Sequence, residues 1–457
     1  MTIASDVTTT AQARFQRELP ARIPEHIGRL SWSADRIAAH QIAGLRRLLA
    51  HAMEHAPFHA RRLAGVNPDR FALEDLPSLP VMTKADMMEH FDEVVTGRRL
   101  TLAAVEAHLS KIQEEPELLA GEYLCLASGG SSGRRGVFVL SWEALVDMNL
   151  AILRPNMARL AAAGGPPQGG LTIGVVCAPT AIHATRAGSA IMGGGMIRVV
   201  DAPATLPLEE IVARLNAGQP QILAGYAGIL RVLAGEKIAG RLTIAPRSIG
   251  STSEQLTAEV AAAISDAFGV PVSNTFGSSE GLFGAADPGD EVISLATDLA
   301  IVELVDERNR PVPEGTPSAK VLITNLSNLA QPLIRYELTD SFVQQPSSPN
   351  HGHLRVLVAG RTDEAFMYGG KAIQPLVIRS PLVKTPQVTE YRVRQTAGGV
   401  DLDIVVNAPV DEHALAGLIA RSLSEAGLPD ARVAIRVVDA IARDPRTGKV
   451  RRFVPLT

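Results

Sequence analysis

The stretch Ser128-Gly129-Gly130-Ser131-Ser132-Gly133-Arg134-Arg135-Gly136 follows the apolar, strand-like run Tyr123-Leu124-Cys125-Leu126 and carries two cations near its end. Glycines permit tight positive-φ turns that aim backbone N–H groups inward, so such a loop can cradle phosphate oxygens, with the Ser131 and Ser132 hydroxyls as further contacts. It is not a Walker A loop, because no Gly-Lys-Ser/Thr closes it. Alone, the run equally describes a flexible surface loop. Four later segments, in fixed order, give it weight: Asn274-Thr275-Phe276-Gly277-Ser278-Ser279-Glu280-Gly281, Pro332-Leu333-Ile334-Arg335-Tyr336-Glu337-Leu338-Thr339-Asp340, Gly360-Arg361-Thr362-Asp363-Glu364 and Asp444-Pro445-Arg446-Thr447-Gly448-Lys449-Val450-Arg451. Each has a plain structural reading in isolation. The first of these four is a strand end and turn with Glu280 as a solvated glutamate; Asp340 and Arg361 are loop residues in exposed ion pairs. Lys449 is one more cation in a tail crowded by Arg443, Arg446, Arg451 and Arg452.

Together the five segments resemble the adenylate-forming superfamily of acyl-CoA synthetases, luciferases and peptide-synthetase adenylation domains. Within it, the chain looks most like the phenylacetate–CoA ligase branch. The opening segments Leu45-Arg46-Arg47-Leu48-Leu49, Pro57-Phe58-His59 and Leu79-Pro80-Val81-Met82-Thr83-Lys84-Ala85-Asp86 belong to the likeness, which runs from about Ile42 to Arg452. The resemblance implies an α/β fold: a large multi-sheet adenylation domain followed by a small, mobile α+β C-terminal lid domain. It implies an AMP-forming carboxylate–CoA ligase that binds ATP, Mg2+ and an aryl or arylalkyl acid, forms an acyl-adenylate and passes the acyl group to coenzyme A.

The residue roles follow from the same likeness. Ser128, Gly130, Ser131, Ser132, Gly133 and Arg134 would hold phosphates, and Ser253 and Glu254 would lie on the adenine side. Asn274, Thr275, Phe276, Gly277, Ser278 and Ser279 would line the nucleotide, with Phe276 and Gly277 also bordering the acyl group. Glu280 would coordinate the metal, Asp340 would accept from the ribose hydroxyls, and Arg361 would assist it. Lys449 would be the catalytic lysine of adenylation. His183, Tyr226, Ala227 and Gly228 would border the acyl group. Rotation about a hinge at Asp363 would exchange Lys449 for the thioester-forming segment Gly369-Gly370-Lys371. Three departures stand out: Arg134-Arg135 where Lys-Pro is usual, Phe276 in place of a tyrosine, and Ser251-Thr252-Ser253-Glu254-Gln255-Leu256 in place of a Gly-Gly-Glu loop. An amine or a carrier-protein thiol as acceptor stays open, as does a non-catalytic nucleotide-binding relative, although Glu280, Asp340, Arg361 and Lys449 together argue against the latter.

At 457 residues the chain is long enough for two cores. A net charge of −4, from 44 cationic and 48 acidic side chains, argues against a nucleic-acid partner. Cys125 and Cys177 show no metal or disulfide spacing, which fits a cytoplasmic location. The stretch Met1 to Gln12 lacks a basic-then-apolar signal, and the apolar region Leu171 to Val200 is broken by His183 and Arg186, so no membrane partner is expected. A homodimer is a further expectation from the likeness.

The elements that must position these residues are legible as periodicities. Residues 1–30 read as a loose arm, then Leu45, Leu48, Leu49, Met53 and Ala56 recur at helical spacing up to Pro57. Thr83 reads as an N-cap with Asp86 three positions on. Leu171–Cys177, Met196–Val200 and Gln221–Ala224 read as strands, and Leu208–Asn216 and Ala258–Phe268 as helices. Alternating runs around Tyr391/Val393 and Leu402/Ile404, a helix presenting Leu415, Leu418, Ile419 and Leu423, and a strand through Val433, Ile435 and Val437 make a compact C-terminal α+β unit. This divides the chain into 1–359 and 360–457. His51, Glu54 and His55 fit an inverted zinc-peptidase pattern, but they lie opposite the Leu45/Leu49/Met53 face and should point to solvent.

Overall fold

The computed structural model describes residues 3–127, 136–162, 164–165, 169–348, 352–361, 366–369, 371–373, 377–378, 381–382, 385, 387–406, 408–442 and 451–456. The N-terminal segment corrects the expectation of a loose arm: Ile3–Arg29 is one helix. Ala11, Phe15, Leu19 and Ile23 recur every four residues and are all buried, against the helices Trp142–Ala162 and Ala184–Met192. Pro20 and Pro24 each remove a helical hydrogen bond, yet both face solvent, where the ring and the freed carbonyl disturb no packing. Gln12 and Gln16 tie the helix down by donating to the Ala190 and Met192 carbonyls at 2.6 and 2.7 Å.

The next helix, Ala34–His55, is capped by Ser33 and buries Leu45, Leu48 and Leu49. Glu54 and His55 are exposed, whereas His51 is half-buried with its ring stacked on His55. Among the described residues no group of three or more His, Cys, Asp or Glu side chains could hold a metal ion.

Nine strands among the described residues form the main sheet: β1 (Leu171–Val176), β2 (Ile197–Asp201), β3 (Ile222–Gly225), β4 (Ser248–Thr252), β5 (Val272–Gly277), β6 (Phe283–Ala285), β7 (Ile293–Leu295), β8 (Asp340–Gln344) and β9 (Arg355–Arg361). Their spatial order is β8-β9-β7-β6-β5-β4-β3-β1-β2. Neighbours from β2 to β5 pair in parallel, and those from β5 to β8 antiparallel. The strands read from sequence lie here within a residue or two, and the helix Ala258–Phe268 has the expected bounds. Continuous apolar runs such as Leu171–Val176 suit strands covered on both faces.

Two smaller sheets flank this one, Leu118–Leu119/Tyr123–Ala127/Val137–Leu140 and Ala300–Val305/Lys320–Asn325/Tyr336–Leu338. Behind the main sheet, Arg154 and Asp298 form a bidentate ion pair at 2.7 Å with both side chains buried, and Arg29 lies 3.5 Å from the same carboxylate.

The sheet β10 (Val388–Thr396), β11 (Gly399–Val406), β12 (Arg432–Val437) and β13 (Phe453–Val454) has order β12-β11-β10-β13, with the helix Glu412–Glu425 between β11 and β12. Its core, from Phe366 through Val393 and Ile419 to Phe453, is separate from the cores of the large domain. Leu415, Ile419 and Leu423 face that core as read from sequence, but Leu418 is 42% exposed and does not. The main sheet continues through Arg361, while Asp363 lies outside the described residues.

Two buried histidines make acid stability testable. Burial, then the charge of Arg29, lowers His26 to about 4; burial, then Arg62, lowers His59 to about 3. A base whose pKa falls on folding stabilises fully above its unfolded value near 6.5 and loses that contribution as pH drops toward the folded value. The thermal midpoint should therefore fall between pH 6.5 and 4, and by less in His59→Gln than in the wild type. Equal losses in scanning calorimetry would refute the assignment to His59.

Candidate active site

The parallel strands β2-β1-β3-β4-β5 reverse direction of growth at β1, so the crevice between the carboxyl ends of β1 and β3 is a topological switch point, where open α/β sheets bind ligands. The segments after these carboxyl ends carry the residues singled out above. After β1 comes His183, half-buried before the helix Ala184–Met192. After β3 come Tyr226, Ala227 and Gly228, all buried at the start of the helix Ala227–Ile238. Ser253 and Glu254 follow β4, and Phe276, Gly277, Ser278, Ser279 and Glu280 end or follow β5. One sheet edge thus gathers four separate sequence motifs.

Tyr226 does not offer a free hydroxyl to this crevice. Its side chain is 1% exposed, and its hydroxyl accepts from the Ala178 N–H at 2.8 Å, pinning the two loops together. Glu254 accepts from the Gly228 N–H at 2.8 Å, where the N-terminus of the Ala227–Ile238 helix favours negative charge. Ser253, at φ +61, sits in a tight turn closed by Glu254 N–H to Thr252 O, 2.8 Å, and its hydroxyl lies 3.3 Å from that of Thr185. The sequence-expected adenine and acyl residues are therefore directly bonded to one another.

The glycine-rich loop with Ser128, Gly130, Ser131, Ser132, Gly133 and Arg134 lies outside the described residues, but its ends are fixed. Ala127 pairs with Val137 across two antiparallel strands, and the Ala127 N–H donates to Ile182 O at 2.9 Å. That bond places the loop's start beside the segment after β1. On the other edge, the buried amides of Gln331 and Asn328 bond the backbone of Val137, Val139 and Ser141.

Glu280 is 8% exposed. Its backbone carbonyl accepts from Asn325 at 3.0 Å, and Gly281 turns the chain at φ +102, where any Cβ would run into the Asn325 amide. Across from it stands Lys84, whose Nζ is 4.0 Å from Glu280 Oε1. Lys84 opens a short helix fixed by the reciprocal Thr83–Asp86 capping box. The sequence shows that cap but nothing that brings Lys84 to Glu280. Phe276 packs edge-on against Phe342 of β8, ring centroids 5.1 Å apart, and β8 opens at Asp340. Asp340 is 8% exposed, and its backbone faces that of Arg361 across β8 and β9. The Arg361 side chain and Lys449 lie outside the described residues.

In the small domain, Gly369 takes φ +55 in the hairpin that joins Tyr368 to Lys371, a turn that favours glycine. Lys371 lies against Gly427, just past the Glu412–Glu425 helix, whose C-terminal carbonyls favour a cation. Gly370 lies outside the described residues.

No protein-family model matches the chain. It is 24% identical to a phenylacetate–coenzyme A ligase of Thermus thermophilus over 401 residues, covering 82% of each protein. It is also 24% identical to one of Escherichia coli, covering 79% of each. A crystal structure of 2-hydroxyisobutyryl-CoA ligase in the postadenylation state superposes with a TM-score of 0.69 at 20% identity, over 93% of this chain and 91% of that one. The chain has the fold of that ligase. The resemblance to phenylacetate–coenzyme A ligases read from five motifs thus extends over four-fifths of the chain, well beyond the motifs themselves. Cys125 and Cys177 are free and buried, and no described helix is long and apolar enough to cross a membrane.

Proposed function

We propose that the chain is an AMP-forming carboxylate–coenzyme A ligase acting on an aryl or arylalkyl acid. The observation that carries this reading is the convergence of four motifs, distant in sequence, on the carboxyl edge of one parallel sheet beside its switch point. Activation of an acid by ATP needs a held triphosphate, an in-line approach of carboxylate to the α-phosphorus, and neutralisation of charge on the departing pyrophosphate. Residues 128–136 supply the cradle, Asp340 with Arg361 the ribose contact, and Lys449 the charge at the α-phosphate. The carboxylate oxygen bonds to phosphorus as the bond to the bridging oxygen breaks and pyrophosphate leaves. The thiol of coenzyme A then attacks the acyl carbon, AMP departs and the thiol proton is released.

At this edge Glu254 is engaged by the Gly228 N–H, which leaves Glu280 as the carboxylate suited to a Mg2+ ion that arrives on the nucleotide, since Mg2+ is commonly held by one or two carboxylates plus phosphate oxygens. When bound, that ion would neutralise phosphate charge.

AMP and pyrophosphate release over a panel of aromatic, arylalkyl and aliphatic acids, each with and without coenzyme A, tests the reading. Acid-dependent AMP that turns over only with coenzyme A is expected. Pyrophosphate exchange without coenzyme A turnover would replace the acceptor by an amine or carrier thiol. Nucleotide binding with no acid-dependent product across the panel would overturn the ligase.

A further inference from the structure

The hydroxyl of Tyr336 has no use in the chemistry above. Its side chain is fully buried, and the hydroxyl finds no hydrogen-bond partner among the described residues. Leaving a polar group so costs about 1–3 kcal/mol, and phenylalanine would fill nearly the same space without that cost.

The backbone that holds this ring is strained and heavily anchored. Arg335, immediately before it, sits at φ +48, a conformation costly for a residue with a Cβ. Its N–H donates to Thr324 Oγ1 at 3.0 Å, and its guanidinium donates twice to Glu303 and to the Pro77 and Leu79 carbonyls. Met82 clamps the same stretch, donating to Arg335 O at 3.0 Å and accepting from the Glu337 N–H at 2.9 Å. Phe138 packs edge-on against the phenol.

Two links bring Glu280 to the same corner of the fold: Tyr336 pairs with Ile323, two residues before the Asn325 that donates to the Glu280 carbonyl, and bridges to Met82, two residues before the Lys84 that faces its carboxylate. Burial first, and then the charges of Glu280 and Glu337, push the Tyr336 hydroxyl above its ordinary range. Among the described residues the Glu280 carboxylate accepts no hydrogen bond; Lys84 at 4.0 Å is beyond one. Among the described residues, a buried donor without an acceptor thus shares this corner with a carboxylate that accepts no hydrogen bond.

We propose that Tyr336 is a positioning residue for Glu280, its hydroxyl donating to one carboxylate oxygen when the other turns from Lys84 to a divalent cation carried on nucleotide phosphates. The proposal rests on Glu280 as the metal-binding carboxylate. Ligating carboxylates are themselves commonly held by hydrogen bonds, and loss of such a partner typically weakens metal binding by about 10–100-fold.

The experiment compares wild type with Tyr336→Phe, using Mn2+ as probe, titrated in the presence of ATP and followed by electron paramagnetic resonance. The variant should bind Mn2+ about 10–100-fold more weakly while its thermal midpoint stays level or rises. In a Glu280→Gln background the same change should cost nothing further. Equal Mn2+ affinity in wild type and Tyr336→Phe would overturn the proposal, as would a fall in midpoint with affinity unchanged. Failure of wild type to bind Mn2+ with ATP would overturn it together with the metal role of Glu280. No acid or coenzyme A enters this measurement, so it is separable from failure of the ligase reading.

Discussion

Lys449→Ala should lower acid-dependent pyrophosphate exchange by about 10²–10³-fold, the usual cost of removing one preorganised charge from a developing anion. The fold should survive. The chain beyond Lys449 is held independently: β13 pairs with β10, Val393 N–H donates to Arg452 O at 2.7 Å, and Phe453 is buried in the small core. Arg452 also stacks over Tyr391, 5.2 Å from its ring centre. ATP binding, which the proposed function assigns to the large domain, should change little. Exchange at the wild-type rate, with an unchanged melting curve, would remove Lys449 from the reaction.

Arg154→Met should destabilise the large domain by about 3–5 kcal/mol, because it strands the Asp298 carboxylate in the interior. Asp298 is 1% exposed, and burial acts to raise it; the hydrogen bonds and charge of Arg154 overcome this and hold it at about 2. Its folded pKa lies below the unfolded one near 3.8, so the stabilisation is complete above about pH 4 and fades as pH falls toward 2. Replacing both partners, Arg154→Met with Asp298→Leu, should recover most of the loss, since a well-packed apolar pair avoids desolvating charge. Urea unfolding at pH 7 reads all three proteins. A single-variant loss below about 1 kcal/mol would mean that Arg29, 3.5 Å from Asp298, already suffices as counter-charge.

What was legible from sequence is what depends on local pattern. Leu171–Val176 and Ile222–Gly225 announce themselves as apolar runs, and Ala258–Phe268 as a helix between Thr257 and Gly269. The N-terminal helix was hidden by Pro20 and Pro24, although the four-residue spacing of Ala11, Phe15, Leu19 and Ile23 outweighs both once that face has a surface to cover. The site residues that escaped notice are those whose partners are remote. Lys84 looks like an ordinary first-turn residue until the fold sets it opposite Glu280, and Tyr336 looks like a strand aromatic until its hydroxyl is seen without a partner among the described residues. Glu254 was legible as important, but its bond to Gly228 belongs to the adjacency of β3 and β4, which no local window contains.

The anchoring of the first helix also constrains synthesis on the ribosome. Gln12 and Gln16 wait for carbonyls at 190 and 192, the Arg29 carbonyl for the His353 ring, and the Trp32 carbonyl for the Gly352 N–H. At roughly 5–20 residues per second, the end of that helix stays without its final neighbours for tens of seconds after it emerges. The nascent chain thus carries an uncovered apolar stripe until the helices Trp142–Ala162 and Ala184–Met192 have emerged to cover it, a natural client for chaperones that act before release.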